Sequence, residues 1–218
     1  MPAPDLGRFI AGFRRFQKSW FCRDHNLFEN LVEEQAPKAL VIACSDSRVD
    51  PALLLDCNPG DLFVVRNVAN LVPPYEAHTT TQHGVSAALE FAVRSLKVED
   101  IIILGHARCG GIKVLLSGAA GGRDDTEFLS RWVSIAAPAQ ERVQQSCPHC
   151  SDQELHRACE QESILVSLEN LMTFPWLRER VEQGELSLHG WFFDLEKGEL
   201  LGWDAATNTF QPMVRECV

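Results

Sequence analysis

Short apolar runs alternate along this chain with longer segments in which apolar residues recur every three or four positions. Uninterrupted apolar runs are typical of parallel strands that are covered on both faces. The three- and four-residue spacing is typical of amphipathic helices. Strands are therefore predicted at residues 40–43, 61–65 and 101–104, and helices at 79–96, 127–143, 163–171 and from Thr173 onward.

Two further strand-like segments lie near the C-terminus, at residues 186–193 and 200–203, on either side of the turn residues 196–198. This arrangement predicts a β-hairpin. Strands that alternate with helices predict a mainly parallel sheet. The predicted fold class is therefore α/β, with a mainly parallel central sheet, one antiparallel edge strand, helices on both faces and an N-terminal helical arm.

The N-terminal residues 6–30 are predicted to form one or two amphipathic helices with a single apolar stripe. Two interpretations of the stripe remain open. It either faces the core, or it belongs to an arm, residues 1–32, that packs on a partner subunit. Because no interdomain linker is visible, residues 1–218 are predicted to form one domain. The stripe consists of Leu6, Phe9, Ile10, Phe13 and Phe16.

Composition narrows the class of protein. The 218 residues, 45% of them hydrophobic, suit one globular domain of ordinary size. A formal net charge of −10 argues against a nucleic-acid partner. No window approaches the ~20 apolar residues of a membrane helix, and we expect no signal peptide. Eight cysteines without a signal peptide predict metal ligands and free thiols in a reducing cytoplasm.

The candidate chemistry lies in residues 44–48 and 106–111, each directly after a predicted buried strand. Ligands of open α/β sheets bind beyond the carboxyl ends of the strands, where the strand order reverses. Cys44, His106 and Cys109 would meet there. A Cys2His set is typical of catalytic zinc, because the fourth tetrahedral position stays free for water. The sequence therefore predicts zinc-assisted hydration or hydrolysis.

Asp46 and Arg48 are close enough in sequence to form a bidentate carboxylate–guanidinium pair. Asp46 could then accept a hydrogen bond from the reacting water, while Arg48 holds Asp46 away from the metal. The alternative for this pair is a loop ion pair without a catalytic role. The glycines Gly105, Gly110 and Gly111 are expected to let the backbone approach the metal closely.

These segments resemble the β-class carbonic anhydrases, and the resemblance covers nearly the whole chain beyond the N-terminal arm. The combination of motifs is highly specific to that family. Besides the closing hairpin, the matching segments are residues 44–48, 63–70, 73–75, 105–111 and 167–171.

The resemblance implies a zinc enzyme that interconverts carbon dioxide and bicarbonate. It implies one zinc ion per chain, held by Cys44, His106 and Cys109. It also implies that Asp46 and Arg48 form the catalytic dyad. The functional unit that it implies is a homodimer, and tetramers or octamers are common among similar proteins.

The resemblance also implies a substrate pocket and a subtype. Phe63, Val68 and Gly110 would line a small apolar pocket for carbon dioxide, and Gln35 would bind substrate across a subunit interface. Val41 stands where bicarbonate-inhibited bacterial members carry a tryptophan. With Gln35, it indicates the plant-like, non-allosteric type. We therefore expect an open site near neutral pH, in which Asp46 does not bind the metal.

Further metal-ligand residue types lie outside this site, at Cys147, Cys150, His156 and Cys159. A second metal site and a local disulfide are alternatives there. The polar loop around Pro148 favours surface thiols, and Cys159 is expected to serve packing only.

Two histidines and two rival functions complete the hypotheses. His78 and His83 could relay protons near the pocket entrance, because imidazole titrates near neutral pH. A hydrolase of carbonyl sulfide or carbon disulfide could use the same scaffold and site. A non-catalytic zinc protein is the rival from another class, and it would have no use for Arg48.

Overall fold

The computed structural model describes residues 6–21, 27–77, 82–118 and 128–214. Within these residues, no helix is both long and apolar enough to cross a membrane. The chain forms two compact units, Met1–Ala36 and Pro37–Val218. That both units belong to one domain stays a prediction.

The first unit contains the helices α1 (Leu6–Trp20) and α2 (Leu27–Glu33), and neither helix has a buried residue. The interpretation of the apolar stripe as core-facing stays a prediction. The alternative, in which the stripe packs on a partner subunit, stays a prediction. The most exposed stripe residues are Leu6 (65%), Phe13 (62%), Phe9 (57%) and Ile10 (57%).

A six-stranded sheet forms the centre of the second unit, in the spatial order β2-β1-β3-β4-β5-β6. The first four strands in this order are parallel, and β5 is antiparallel to both of its neighbours. This confirms the predicted fold class. The strand β6 lies outside the predicted hairpin and was not predicted, because its four residues are mostly exposed. The strands are β1 (Ala39–Cys44), β2 (Leu62–Asn67), β3 (Asp100–His106), β4 (Ser187–Asp194), β5 (Glu199–Asp204) and β6 (Thr209–Pro212).

The strand order reverses at β1, which has β2 on one side and β3 on the other. Ala43 is in register with Leu104, so β1 and β3 end side by side. A crevice opens at such a reversal, because the connections leave the two strands in opposite directions. The last residues of β1 and β3 are Cys44 and His106.

Helices pack around this sheet, and their ends differ from the prediction in three places. The helix predicted at 79–96 begins at Gly84 and ends in a π-helical turn, Phe91–Ser95. Thr79 and Thr80, at the start of the predicted range, lie outside the described residues. The helix predicted at 127–143 is divided into two helices, Leu129–Val133 and Ala137–Ser146, by a 3-10 turn at Ser134–Ala136, and Pro138 lies in the first turn of the second helix. The helices are α3 (Pro51–Leu54), α4 (Gly84–Glu90), α5 (Gly110–Leu116), α6 (Leu129–Val133), α7 (Ala137–Ser146), α8 (Asp152–Leu171) and α9 (Pro175–Glu182).

The long helix α8 begins eleven residues earlier than the predicted residue 163. A capping box explains the early start, because Ser151 and Glu154 satisfy each other's backbone N–H groups. Further along, α8 lies directly on β3. A Cβ atom on Gly105 would lie 2.7 Å from the Ile164 side chain. This close packing brings the middle of α8 behind the ends of β1 and β3.

Candidate metal centre and active site

Three buried side chains meet where β1 and β3 end. Cys44 and His106 are the last residues of the two strands, and Cys109 is the N-cap of α5. Their ligand atoms all lie within 4.8 Å of one another. Among the described residues, no other group of histidine, cysteine and carboxylate side chains has this geometry.

The cluster fits a tetrahedral metal. His106 Nδ1 lies 2.8 Å from the Ala107 carbonyl, which can only accept, so Nδ1 carries a proton. Nε2 is then the atom that can bind a metal, and it is buried without a hydrogen-bond partner in the described part of the chain. The Cys44 and Cys109 sulfur atoms are 4.0 Å apart. Two sulfur atoms on one tetrahedral zinc would be about 3.8 Å apart.

The three side chains of the cluster shift one another's pKa values. The hydrogen bond with Cys109 lowers the pKa of the Cys44 thiol to about 4 and raises the pKa of Cys109 well above its usual range. Burial acts to lower the pKa of His106, but the nearby Cys44 sulfur and the Ala107 carbonyl raise it overall. Because metal ligands must be deprotonated, the affinity of this cluster for a metal falls as pH is lowered.

Asp46 and Arg48 form the predicted bidentate pair. Arg48 donates from Nε to Asp46 Oδ1 at 2.9 Å and from Nη2 to Oδ2 at 2.6 Å, and its backbone N–H adds a third bond at 2.9 Å. The side-chain hydrogen bonds from Arg48 hold the pKa of Asp46 well below its usual range. Asp46 Oδ2 lies 3.9 Å from His106 Nε2, so an ionised carboxylate faces the cluster.

Arg66 organises the loop that carries this pair, a role that the sequence interpretation missed. Its guanidinium donates to the carbonyls of Cys44 (3.0 Å), Asp46 (2.7 Å) and Val49 (3.0 Å). It also forms an ion pair with Asp50 at 3.1 Å. The signal was an arginine near the end of an otherwise apolar strand, where it can reach the loop that follows the neighbouring strand.

Two further residues lie behind Cys109: Glu160, which the sequence interpretation missed, and His156, which it considered only for a second metal site. The carboxylate of Glu160, which is 3% exposed, accepts the Cys109 backbone N–H at 2.7 Å. His156 Nε2 lies 3.1 Å from the Cys109 carbonyl and 3.2 Å from Glu160 Oε1. Burial raises the pKa of Glu160 to about 7. The signal was a glutamate in line with the core positions Ser163 and Ser167 of α8.

Val68 and Gly110 lie at the same edge of the sheet as the cluster. Val68 directly follows β2 and is 37% exposed, and a Cβ atom on Gly111, in the first turn of α5, would lie 2.7 Å from Val68 Cγ1. A Cβ atom on Gly110 would meet no atom of the described residues within 4 Å. Gly105 and Gly111 are therefore the glycines that leave no room for a side chain, and the atoms that crowd them belong to other side chains of the protein.

Phe63 and Gln35 are not brought to the cluster within the second unit of one chain. Phe63 pairs with Leu40, four residues before the pair formed by Asn67 and Cys44. This spacing along a strand corresponds to roughly 13 Å. Phe63 instead packs against Phe91, with ring centroids 5.8 Å apart. Gln35 belongs to the first unit.

Among the described residues, the other cysteines form no second metal cluster. Cys147 and Cys150 form a disulfide, so the interpretation as surface thiols is wrong for this pair. Cys159 is fully buried in an apolar cluster, as expected. His83 is the N-cap residue of α4 and lies 3.7 Å from a Glu76 carboxylate oxygen. His78 lies outside the described residues.

Comparisons with known proteins identify the family of this chain. The carbonic anhydrase family model matches residues 39–200. Beta carbonic anhydrase 3 of Arabidopsis thaliana is 40% identical over 93% of this chain and 78% of its own length. The chloroplastic beta carbonic anhydrase 5 of the same plant is 44% identical over 86% of this chain. This match spans 60% of the plant protein's length.

Solved structures show the same fold. The beta-carbonic anhydrase CcaA superposes with a TM-score of 0.89 at 36% identity, over 96% of this chain and 100% of that chain. A tetrameric beta-carbonic anhydrase from Sordaria macrospora superposes with a TM-score of 0.72 at 30% identity, over 90% and 92% of the two chains. The resemblance found in the sequence is thereby confirmed, and this chain belongs to the β-class carbonic anhydrase family.

Proposed function

We propose that this protein catalyses the reversible hydration of carbon dioxide to bicarbonate and a proton. Cys44, His106 and Cys109 would hold one zinc ion per chain. The observation that carries the proposal is the buried Cys2His cluster beside a carboxylate that an arginine keeps ionised. In this cluster, His106 Nε2 has no hydrogen-bond partner among the described residues. A structural zinc site needs four protein ligands, whereas this cluster offers three.

Zinc bound there would act as a Lewis acid that makes water a nucleophile near neutral pH. Asp46 would accept a hydrogen bond from this nucleophile and so direct a lone pair at the substrate carbon. For this task Asp46 must be ionised, and its lowered pKa meets that requirement. The proton released in each turnover would leave through buffer or an entrance histidine such as His83.

Arg48 would keep the site open by occupying both carboxylate oxygens of Asp46. A carboxylate that is free to rotate could become a fourth ligand and exclude water. The bonds of 2.9 and 2.6 Å from Arg48 support the open, non-allosteric type that Val41 and Gln35 indicate in the sequence. A metal-bound Asp46 in a crystal grown near pH 8 would contradict this proposal.

The carbon dioxide pocket would need two chains. Val68 and Gly110 would form its wall beside the cluster, and a partner subunit would supply Phe63 and Gln35. The position of Phe63, far along β2 from the cluster of its own chain, supports this arrangement. The exposed stripe of α1 supports a homodimer, and a structural relative is named tetrameric. A cytoplasmic location stays a prediction.

Stopped-flow measurement of carbon dioxide hydration against pH, on protein of known zinc content, tests the proposal. We expect fast turnover that rises from neutral to alkaline pH, without a steep cooperative loss below about pH 8. Release of sulfide from carbonyl sulfide or carbon disulfide is measured in parallel. Sulfide release with negligible hydration would favour the hydrolase, and no turnover with one bound zinc per chain would indicate a non-catalytic protein.

A further inference from the structure

We propose that Glu160 and His156 are positioning residues that hold the backbone of Cys109 and thereby set the affinity of the site for its metal. The inference rests on the proposed metal site. Neither side chain touches substrate or metal. Both act through the peptide groups of one ligand, Cys109.

Glu160 holds the N–H group of Cys109. The 2.7 Å distance to Oε1 is that of a strong charge-assisted hydrogen bond. The carboxylate is 3% exposed, so water does not compete for it. A buried carboxylate is costly unless its hydrogen bonds compensate, and a purely apolar helix face would cover the sheet equally well. The placement of Glu160 therefore indicates a specific task at Cys109.

His156 holds the C=O group of the same residue. Its Nε2 atom lies 3.1 Å from the Cys109 carbonyl and 3.2 Å from Glu160 Oε1, and both of these oxygens accept. Nε2 must therefore carry a proton and donate. His156 and Glu160 are one helical turn apart on α8, so a single helix binds both the N–H and the C=O group of Cys109.

The Cys109 segment needs such support because of its own conformation. Arg108 adopts a φ of +60°, a left-handed value that is unfavourable for residues other than glycine. Cys109 caps α5 but makes no capping hydrogen bond with its side chain, which is directed to the cluster. Without a hold from α8, the loop would relax and shift the sulfur away from Cys44 and His106.

Metal affinity is the primary readout. Competition with a chromophoric chelator gives the dissociation constant for Zn²⁺, and Co²⁺-loaded protein reports ligand geometry through its thiolate and d–d absorption bands. Outer partners of metal ligands typically contribute 10–100-fold to affinity. We expect Glu160→Ala to weaken Zn²⁺ binding by about 10–100-fold and to alter the Co²⁺ bands. Glu160→Gln keeps an acceptor oxygen and should restore affinity to within about threefold.

Matched variants separate positioning from general destabilisation. Glu162 lies on the same helix as Glu160 and forms an ion pair with Arg142. Glu162→Ala removes this ion pair and should leave the Zn²⁺ affinity and the Co²⁺ absorption bands unchanged. His156→Ala should weaken binding less than Glu160→Ala, and His156→Gln, which keeps a donor, should restore it. Urea unfolding of each metal-free variant monitors the fold.

Three results would overturn the inference. Wild-type affinity in Glu160→Ala would show that the hold is not needed. Equal losses in Glu160→Ala and Glu160→Gln would assign the effect to charge rather than to the hydrogen bond. A loss in Glu162→Ala of the same size would assign it to helix stability. If the wild-type protein binds no Zn²⁺ at all, the proposed metal site itself fails.

Discussion

At the scale of single residues, Arg48 occupies a position between two loops. It binds both oxygens of Asp46 and also donates from Nη2 to the Arg108 carbonyl at 3.1 Å. One guanidinium therefore links the loop after β1 to the loop after β3. Lysine could supply the charge at this position but not the planar, two-point geometry.

Replacing Arg48 by alanine should abolish most activity, because Asp46 loses both its orientation and its ionising partner. We expect kcat/KM for carbon dioxide hydration to fall by about 100-fold or more in Arg48→Ala. Arg48→Lys should recover only a small part of the loss. A metal-bound Asp46 is the expected structural change. Wild-type rates in Arg48→Ala would contradict the role proposed for this pair.

Replacement by alanine should lower stability at Gly111 but not at the adjacent Gly110. A Cβ atom on Gly111 would lie 2.7 Å from Val68 Cγ1 and 2.9 Å from the Ala69 Cβ, so Gly111→Ala should lose about 1–3 kcal/mol of stability. The new Cβ atom of Gly110→Ala meets no atom within 4 Å in the described part of the chain, so this variant should keep full stability. If Gly110 lines the carbon dioxide pocket, however, Gly110→Ala should lower kcat/KM.

Urea unfolding and steady-state kinetics on both variants check this pair of predictions. Full activity in Gly110→Ala would remove Gly110 from the pocket. Unchanged stability in Gly111→Ala would show that Val68 can move aside without cost.

At the scale of elements, the strands with apolar runs or apolar alternation were predictable, and the mostly exposed strand β6 was not. The strands β1 and β3 consist of consecutive apolar residues, since both faces are covered, and such runs have few other interpretations. The strand β6 has mixed polarity and forms only because β5 offers it a free edge. The first half of α8 was missed for a similar reason, because its local capping signal precedes a mostly polar stretch.

The candidate site was predictable where its residues are unusual for their surroundings. Cysteine, histidine, aspartate and arginine directly after apolar strands stand out against that background. Glu160 and His156 do not, because charged residues are ordinary on a helix and only tertiary packing shows which of them are buried. Long-range contacts of this kind, with Cys109 some fifty positions away, carry no local signal.

The turn between β4 and β5 contains a pH-dependent ion pair. Asp194 is fully buried, lies 2.9 Å from Arg157 Nη2 and accepts from the backbone N–H of Glu196 at 3.1 Å. Burial opposes ionisation, but Arg157 and the turn amides outweigh it and lower the pKa of Asp194. Because the folded-state pKa is lowered, the pair stabilises the fold above the ordinary pKa of 3.8 and is lost as pH falls below it.

Asp194→Asn should therefore lower the free energy of unfolding by about 1–3 kcal/mol at pH 7. The difference from wild type should shrink as pH falls below 3.8. Asp204→Asn is the matched control, since Asp204 accepts from the Ala206 N–H in the next turn but is partly exposed. A pH-independent loss in Asp194→Asn would contradict an electrostatic origin.

At the scale of the whole molecule, the apolar stripe of α1 needs a cover. Four large apolar side chains that are each more than half exposed on one helix are unusual for a protein that works as a monomer. A second copy is the occupant proposed above, and it would also bring Phe63 and Gln35 to the pocket.

A charge within the stripe should therefore break the dimer. We expect Phe13→Glu to shift the mass measured by analytical ultracentrifugation from a dimer or larger assembly towards the monomer, with loss of hydration activity. Arg14→Glu, at a neighbouring polar position of α1, should keep the assembly. A monomeric wild-type protein with full activity would refute the two-chain pocket.

Arg66 forms three hydrogen bonds to backbone carbonyls and one ion pair, and these four contacts affect how metal binding is coupled to folding. They fix the loop after Cys44 from the protein side alone, as Glu160 and His156 fix Cys109. In a zinc finger, ligation must order the chain, and much of the binding free energy is consumed by folding. Here the contacts of Arg66, Glu160 and His156 order the segments of Cys44 and Cys109 before a metal binds. The full binding free energy is then available as affinity, and a metal-stripped chain would remain folded and ready to be reloaded.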